Sequence, residues 1–290
     1  MTISLDHLGF VGPRLEPMRE AFTLLGFSAT EPRPLMSCDP DTGAAVPLEQ
    51  WSCHVVLERG YLELSAVASR DAGHHLSTYA AAGNALQICA FGTRDLARSH
   101  AQCRDAGVRV NAPQWATREI HYGARRGDAR FHWFMVEPAD APEGLLCFVE
   151  HGTPELVYQP EVQQHANSAR SLTMLGVVLP TRDALATATI RYQRLLGRTP
   201  AVGAMRQRVF ELGHQRLVLY SADAAAALFG EAAPASAFAI AGIEVADSAT
   251  AADRLARQNV PFVDRGELLI VPPSAACGAI LCLHAPGRVF

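Results

Sequence analysis

A chain of 290 residues is long enough for two domains of about 145 residues or one large one, and a hydrophobic share of 49% is enough to fill their cores. Lys and Arg number 25 against 29 Asp and Glu, a formal charge of −4, which leaves no long-range field to recruit nucleic acid or an anionic membrane. The expected partner is a small molecule. Seven cysteines (38, 53, 89, 103, 147, 277 and 282) are scattered without C-x-x-C pairs, and Cys89, Cys147 and Cys282 lie in apolar runs where Cys behaves as a small hydrophobe. An odd, unclustered set points to reduced thiols and a cytoplasmic address. The chain does not open on a basic leader followed by an apolar core, and no apolar run approaches the length of about 18 residues of a membrane span, so a soluble, unprocessed protein is expected.

The elements recur in one order. ISLDHLGFVG reads as a short strand, and in LEPMREAFTLLG the residues Leu15, Met18, Phe22 and Leu25 fall at helical spacing before a Gly26 stop. A loop rich in Pro and Asp and a poorly marked strand follow, then the strand-like runs CHVVLERG and YLELSAV, giving a βαβββ unit. The second unit is ALQICAFG, TRDLARSHAQCRDAG, RFHWFMVE and LLCFVEH; the third is LTMLGVVLP, TRDALATATIRYQRLLG, RVFELG and RLVLYSA. Thr93 and Thr181 stand where an N-cap is needed. The fourth is FAIAGIEVA, SATAADRLARQN, ELLIVP and AILCLHA, with Asn259 in place of the terminal Gly. The helix stops are unevenly spaced, which excludes a strict solenoid. The polar, Pro-punctuated segment 153–170 reads as a linker between a first half, 1–152, and a second, 171–290. One βαβββ unit has too little core, so the fold class expected is α+β, with units paired into curved sheets, helices outside and a cup inside each half.

Strand alternation selects the residues that face the first cup. His7 shares a face with Leu5, Gly9 and Val11, and Glu63 shares one with Tyr61 and Ser65, opposite the apolar Leu62 and Leu64 that should meet the helix. By the same alternation the second unit groups Gln87 with Ala85, Cys89 and Phe91, and Glu150 with Leu146 and Phe148. The set His7, Glu63, Gln87 and Glu150 suits a six-coordinate divalent ion such as Zn, Ni, Co, Mn or Fe(II), with two positions open to substrate. Tyr61, Phe91 and Phe148 are then the expected pocket walls.

Paired βαβββ modules with D-H-L heading the first strand and L-E-L in the last resemble the vicinal oxygen chelate superfamily, which includes glyoxalase I, bleomycin resistance proteins and extradiol dioxygenases. The segment E-H-G-T-P-E-L-V-Y-Q-P-E (150–161), followed by H-A-N-S-A, resembles more narrowly the glyoxalase-like proteins of bacteria. The resemblance implies two glyoxalase-like cups made of four βαβββ modules. It also implies a divalent metal on His7, Glu63, Gln87 and Glu150, although matching from the preceding Gly puts Phe148 rather than Glu150 at the fourth place. Its isomerases and lyases hold vicinal substrate oxygens on the ion and stabilise an enediolate, with a carboxylate such as Glu63 or Glu150 moving the proton. A metal-dependent lyase or isomerase is therefore the first expectation. A metal-free protein that sequesters a small molecule is the alternative. Ring-cleaving dioxygenation is disfavoured, because the second half carries Met174 or Leu175, Val218 and Ala241 where ligands would stand, with only His284 polar. Members of the superfamily often form homodimers.

Plain structural roles are weighed beside these. His151 has the opposite parity to Glu150 and reads as an anchor for the linker. His54 and His132 read as packed or surface residues that can also line the cup. His74-His75 and His121-Tyr122 fall in loops, and Arg125-Arg126 in a solvated turn or, functionally, as receptors for a carboxylate or phosphate. The sequence contains no G-x-G-x-x-G after a strand, Walker loop, G-x-S-x-G elbow or H-E-x-x-H helix, so no nucleotide cofactor is expected.

Overall fold

A computed structural model describes residues 3–38, 42, 44–67, 74–81, 83–230 and 237–287, of which the side chains of Cys38 and Thr78 are outside the description. The first unit consists of β1 (Ser4–Gly12), α1 (Leu15–Leu24), β2 (Arg33–Cys38), β3 (Ala45–Val56) and β4 (Tyr61–Val67), followed by the short α2 (Ser77–Ala81). The second consists of β5 (Ala85–Gly92), α3 (Leu96–Asp105), β6 (Gln114–Ile120), β7 (Gly127–Met135) and β8 (Leu145–His151), with a single turn of helix, α4 (Pro154–Val157), behind it. These eight strands close into a barrel in the order β1-β4-β3-β2-β6-β7-β8-β5.

The third unit is β9 (Ala169–Leu179), α5 (Arg182–Leu196), β10 (Ala201–Val202), β11 (Arg208–Leu212) and β12 (Gln215–Ser221), followed by α6 (Ala222–Phe229). The fourth is β13 (Ala237–Val245), α7 (Ser248–Arg257), β14 (Val263–Asp264), β15 (Leu268–Val271) and β16 (Ile280–His284). They form a second eight-stranded sheet, β10-β11-β12-β9-β13-β16-β15-β14. The fourfold βαβββ reading thus holds. Among the described residues, no helix is long and apolar enough to cross a membrane, and the six cysteines whose side chains are described are free thiols.

Local chemistry sets the element ends. Leu15, Met18 and Phe22 bury one face of α1, and Gly26, at φ +92°, takes the left-handed turn that ends it. Thr181 caps α5 by accepting from the Ala184 N–H. At α3 the cap is Asp95, which accepts from Arg98 N–H, while Thr93 bonds to Ser99 in the turn before it. The carboxylate has displaced the hydroxyl expected there.

In each half the sheet has two apolar faces. The helix-side faces of both halves merge into one core that includes Phe10, Phe22, Phe91 and Phe148 from the first half and Leu175, Tyr192, Phe210 and Leu281 from the second. The inner faces stay separate. In the second half, Met174, Val218, Ile240 and Cys282 meet Ala225 and Phe229 of α6, so that helix fills the cup. In the first barrel Leu76 and, from the short α2, Tyr79 and Ala80 pack onto the inner face, and a pocket remains beside them.

Candidate functional site

All eight strands of the first barrel contribute to one pocket of about 640 Å³, counting the space at its mouth. Its two walls differ in chemistry. Glu63 on β4, Gln50 and His54 on β3, and Arg118 on β6 make one polar side, continuing to His7 on β1; Ile88, Phe131, Leu145 and Val149 make the apolar side. Alternation explains the polar side, because Gln50, Ser52 and His54 project from the same face of β3 and pair across to Val67, Ser65 and Glu63.

His7 and its neighbours form a chain of charged contacts. His7 Nδ1 lies 2.8 Å from Asp6 Oδ2 and His7 Nε2 lies 3.4 Å from Glu63 Oε2. Asp6 is met in turn by His151 Nε2 at 3.0 Å and by the Tyr158 hydroxyl, which donates at 3.2 Å. The Glu63 Oε1 accepts from the Ser65 hydroxyl at 2.6 Å and from Gln50 Nε2 at 3.1 Å. The Tyr61 ring stacks on His7 with centroids 4.5 Å apart and touches His54 on its other side at 4.6 Å.

Burial alone would strip His7 of its proton, but the hydrogen bonds and charges of Asp6 and Glu63 outweigh it and raise its pKa to about 9. Burial works to raise Glu63, and the His7 imidazolium, with His54 and the Ser65 hydroxyl, overcomes it and holds the carboxyl well below the usual range. Asp6 is likewise pulled down against its burial, by His151 and His7. Burial, with Arg118 adding to it, pushes His54 well below the ordinary imidazole value, and His75 falls to about 4 by burial beside His74. At neutral pH the chain is therefore carboxylate, imidazolium, carboxylate, beside neutral imidazoles.

The barrel brings together three of the seven expected residues. His7, Glu63 and Tyr61 line the pocket. Gln87 and Glu150 do not, and neither do Phe91 and Phe148. The pairing of β1 with β5 skips a residue between Leu86 and Ile88, a β-bulge at Gln87 that reverses the parity beyond it. Cys89 and Phe91 thereby turn to the helix-side core, and Ile88 and Ala90 turn inward. On β8 the partner strand follows the same parity, with Leu146 and Phe148 in the core and Leu145, Cys147 and Val149 inward. Glu150 faces outward, where its Oε2 accepts from the Leu96 N–H at 2.8 Å and caps the start of α3. His151, expected to anchor the linker, takes the inward place, where it bonds to Asp6 and packs against Tyr158 of that segment.

Asp6 itself reaches His7 because a second bulge lies on β1. Leu5 opposes Phe91 and His7 opposes Ala90, so Asp6 is the extra residue and escapes alternation. Asp6, Gln50, His151, Tyr158 and Arg118 went unselected in the sequence. The signal for Gln50 and His54 was a run of polar residues at alternate positions of β3, with Ser52 between them, and for Arg118 a charge on the same face of β6 as the apolar Ala116 and Ile120; for Asp6 there was none.

The donor set does not fit the divalent ion that the resemblance implied. Leu8 pairs with Leu62 on one side and Cys89 on the other, and Cys89 pairs in turn with Leu146, so the pseudo-twofold that exchanges Leu8 with Cys89 carries His7 onto Ile88 and Glu63 onto Cys147. Two of the four symmetric places therefore hold an alkyl chain and a thiol whose pKa is pushed far up by burial. Both ring nitrogens of His7 face carboxylates, Nδ1 toward Asp6 and Nε2 toward Glu63. Among the described residues no group of three or more His, Cys, Asp or Glu side chains is arranged to hold a metal ion.

The other expected polar residues lie outside the pocket, His75 apart, which lines it. His132 stacks on Trp115 at 4.3 Å, His74 Nε2 bonds to the Leu48 carbonyl, His121 pairs with Glu119, and Arg125 and Arg126 are exposed in the β6–β7 turn. In the second half, the places of His7 and Glu63 are held by Met174 and Val218, and Ile240 rather than Ala241 faces inward; His284 bonds to Thr173 at 2.7 Å.

The sequence profile of the glyoxalase-like domain matches residues 5–196. No curated protein matches the chain. Among solved structures, a hypothetical protein from Staphylococcus aureus superposes with a TM-score of 0.64 at 11% identity, over 98% of this chain and 100% of that one. A fusion of a xylose isomerase-like TIM barrel with 4-hydroxyphenylpyruvate dioxygenase gives 0.61 at 12% identity, over 99% of this chain and 49% of that one. A mutant 4-hydroxymandelate synthase from Streptomyces coelicolor gives 0.60 at 13% identity, over 99% and 94%. At such identities these likenesses speak for the fold alone.

Proposed function

Because the chain belongs to the glyoxalase-like domain family, within the vicinal oxygen chelate superfamily, we propose that its first barrel is a small-molecule site that moves a proton next to a substrate oxygen, as an isomerase or lyase does. The observation that carries the reading is the His7–Glu63 pair on the wall of the pocket, with His7 keeping its proton at neutral pH. His7 acts as the acid, donating from Nε2 to a developing enolate oxygen. Glu63 acts as the base through Oε2, since Ser65 and Gln50 occupy Oε1. Asp6, fixed by His151 and Tyr158, orients the ring and supports its charge. Tyr61 forms the floor against which a flat substrate would rest.

The reading is tested by following solvent deuterium into the carbon acids of a panel of 2-oxo acids, 2-hydroxy ketones and simple ketones by proton NMR. Exchange by the wild-type protein, unchanged by chelator and reduced about 10²-fold or more in Glu63→Gln, is expected. Ligands that bind the protein without any exchange count against it. They would favour sequestration instead, for which the specific support is that Glu63 and His7 already satisfy one another's charge.

A further inference from the structure

Four partnerless polar atoms of the first barrel belong to residues of its pocket. Gln50 Oε1, His54 Nδ1, Arg118 Nε and Trp133 Nε1 are buried without a hydrogen-bond partner, and all four belong to residues that line the cavity. Arg118 is the decisive one. It is 1% exposed, and its terminal nitrogens donate to the hydroxyl and the carbonyl of Ser52. Of the five N–H groups of a guanidinium, that uses two.

Among the described residues Arg118 enters no ion pair. Glu63, the carboxylate on the same wall, is taken by His7, Ser65 and Gln50. A guanidinium stays charged even when buried, and a buried charge without a counterion is costly enough that folds seldom keep one without a use. Ser52 pins the group to the strand, so its free edge is held ready rather than swinging. The rest of the lining is largely apolar, with Ile88, Phe131, Leu145 and Val149 beside the indole of Trp133.

We propose that Arg118 is the anion receptor of this pocket and that the ligand is an apolar organic acid, with one carboxylate on Arg118 and its hydrocarbon body against Ile88, Phe131, Leu145 and Val149. A planar carboxylate matches the guanidinium edge. With the His7 imidazolium already paired to Asp6 and Glu63, Arg118 is the cation left for a ligand among the described lining residues, and one such charge beside the negative Glu63 suits a monoanion and disfavours a phosphate dianion. The proposal rests on the barrel being a small-molecule site, but not on its moving a proton.

Thermal shift and Trp133 fluorescence with matched pairs, phenylacetate against phenylacetamide and hexanoate against hexanamide, test it, with phenylphosphonate as a third arm. At least one acid is expected to raise the melting temperature and to bind about tenfold or more tightly than its amide, and Arg118→Met is expected to abolish that preference. Acids that bind no better than amides, acids that do not bind, or phenylphosphonate binding more tightly than phenylacetate overturns it. So does an acid preference that survives in Arg118→Met. The comparison of acid with amide is complete in the wild-type protein, so it stands even where the variant does not fold. Acid preference without deuterium exchange would overturn the catalytic reading alone, and exchange into neutral ketones without acid preference would overturn this one alone.

Discussion

At neutral pH an ordinary imidazole is mostly uncharged, yet His7, with its pKa lifted to about 9 between Asp6 and Glu63, keeps its proton. The folded protein thus binds that proton more tightly than the unfolded chain, whose histidine titrates near 6.5. Its contribution to stability is complete below about pH 6.5 and is lost as the pH rises through about 9. Asp6 and Glu63, held low in the fold, contribute above the ordinary carboxylate range and lose that contribution as the pH falls below it. His54 and His75 are depressed, so each costs stability as the pH drops below about 6.5. The difference between the wild-type protein and His7→Gln isolates one residue from this sum. Melting temperatures are expected to fall more steeply between about pH 6.5 and pH 8 in the wild type than in the variant, while above that range the buried thiols, whose pKa values burial raises, impose a loss on both. Parallel curves would mean that His7 carries no shifted proton. Glu63 was legible in the sequence because it is a polar residue inside a regular strand, where parity decides the face; His7 stood out among apolar neighbours, although the bulge at Asp6 puts Leu5, expected on its face, in the helix-side core. Arg118 was equally legible by that rule, in QWATREI, and was passed over because its strand is weakly marked.

At the scale of the element, parity fails wherever a strand carries an extra residue. One bulge at Gln87 reversed the reading of β5 and, through register, of β8, which is why Gln87, Glu150, Phe91 and Phe148 were expected inside and His151 outside. A bulge has no composition signature in these strands. It follows from pairing with a neighbour that is distant in the chain, which alternation within one strand does not contain. Glu150 has a different use as a result, closing the exposed N–H of Leu96 at the positive end of α3. Glu150→Ala is expected to lower stability by about 1 kcal/mol in urea unfolding and to leave ligand affinity unchanged. Loss of ligand binding with unaltered stability would return Glu150 to the pocket. Gly9 is another constraint of this kind, since a Cβ there would lie 2.7 Å from Ile88 Cβ, the side chain that the bulge turns inward.

Across the whole molecule, the second half lacks the groups of the first and yet reaches its site. The Gln215 side chain, 1% exposed at the start of β12, accepts from Leu5 N–H at 2.7 Å and donates to the Leu5 carbonyl at 2.7 Å and to the Leu172 carbonyl at 3.0 Å. Leu5 immediately precedes the bulged Asp6, where the β1 ladder is broken and its backbone groups need a partner from elsewhere. A residue more than 200 positions away therefore supports the geometry by which Asp6 reaches His7. The same interface carries the part-buried Glu143–Arg191 ion pair and the shared apolar core, so the halves are expected to unfold together. Gln215→Leu keeps the volume and removes the hydrogen bonds, stranding both polar groups of Leu5. A loss of about 2 to 4 kcal/mol in urea unfolding is expected. With the bulge released, the alkaline stability slope due to His7 should weaken as well, and acid ligands should bind less tightly. Val218→Ala, inside the filled second cup, supplies the contrast: it makes a cavity and lowers stability, but it leaves the pH slope and ligand affinity as they are. If Gln215→Leu lowers stability while the slope and the affinity match those of Val218→Ala, the second half is a passive support. If all three change together, the site belongs to the whole chain, although every residue lining its pocket comes from the first half.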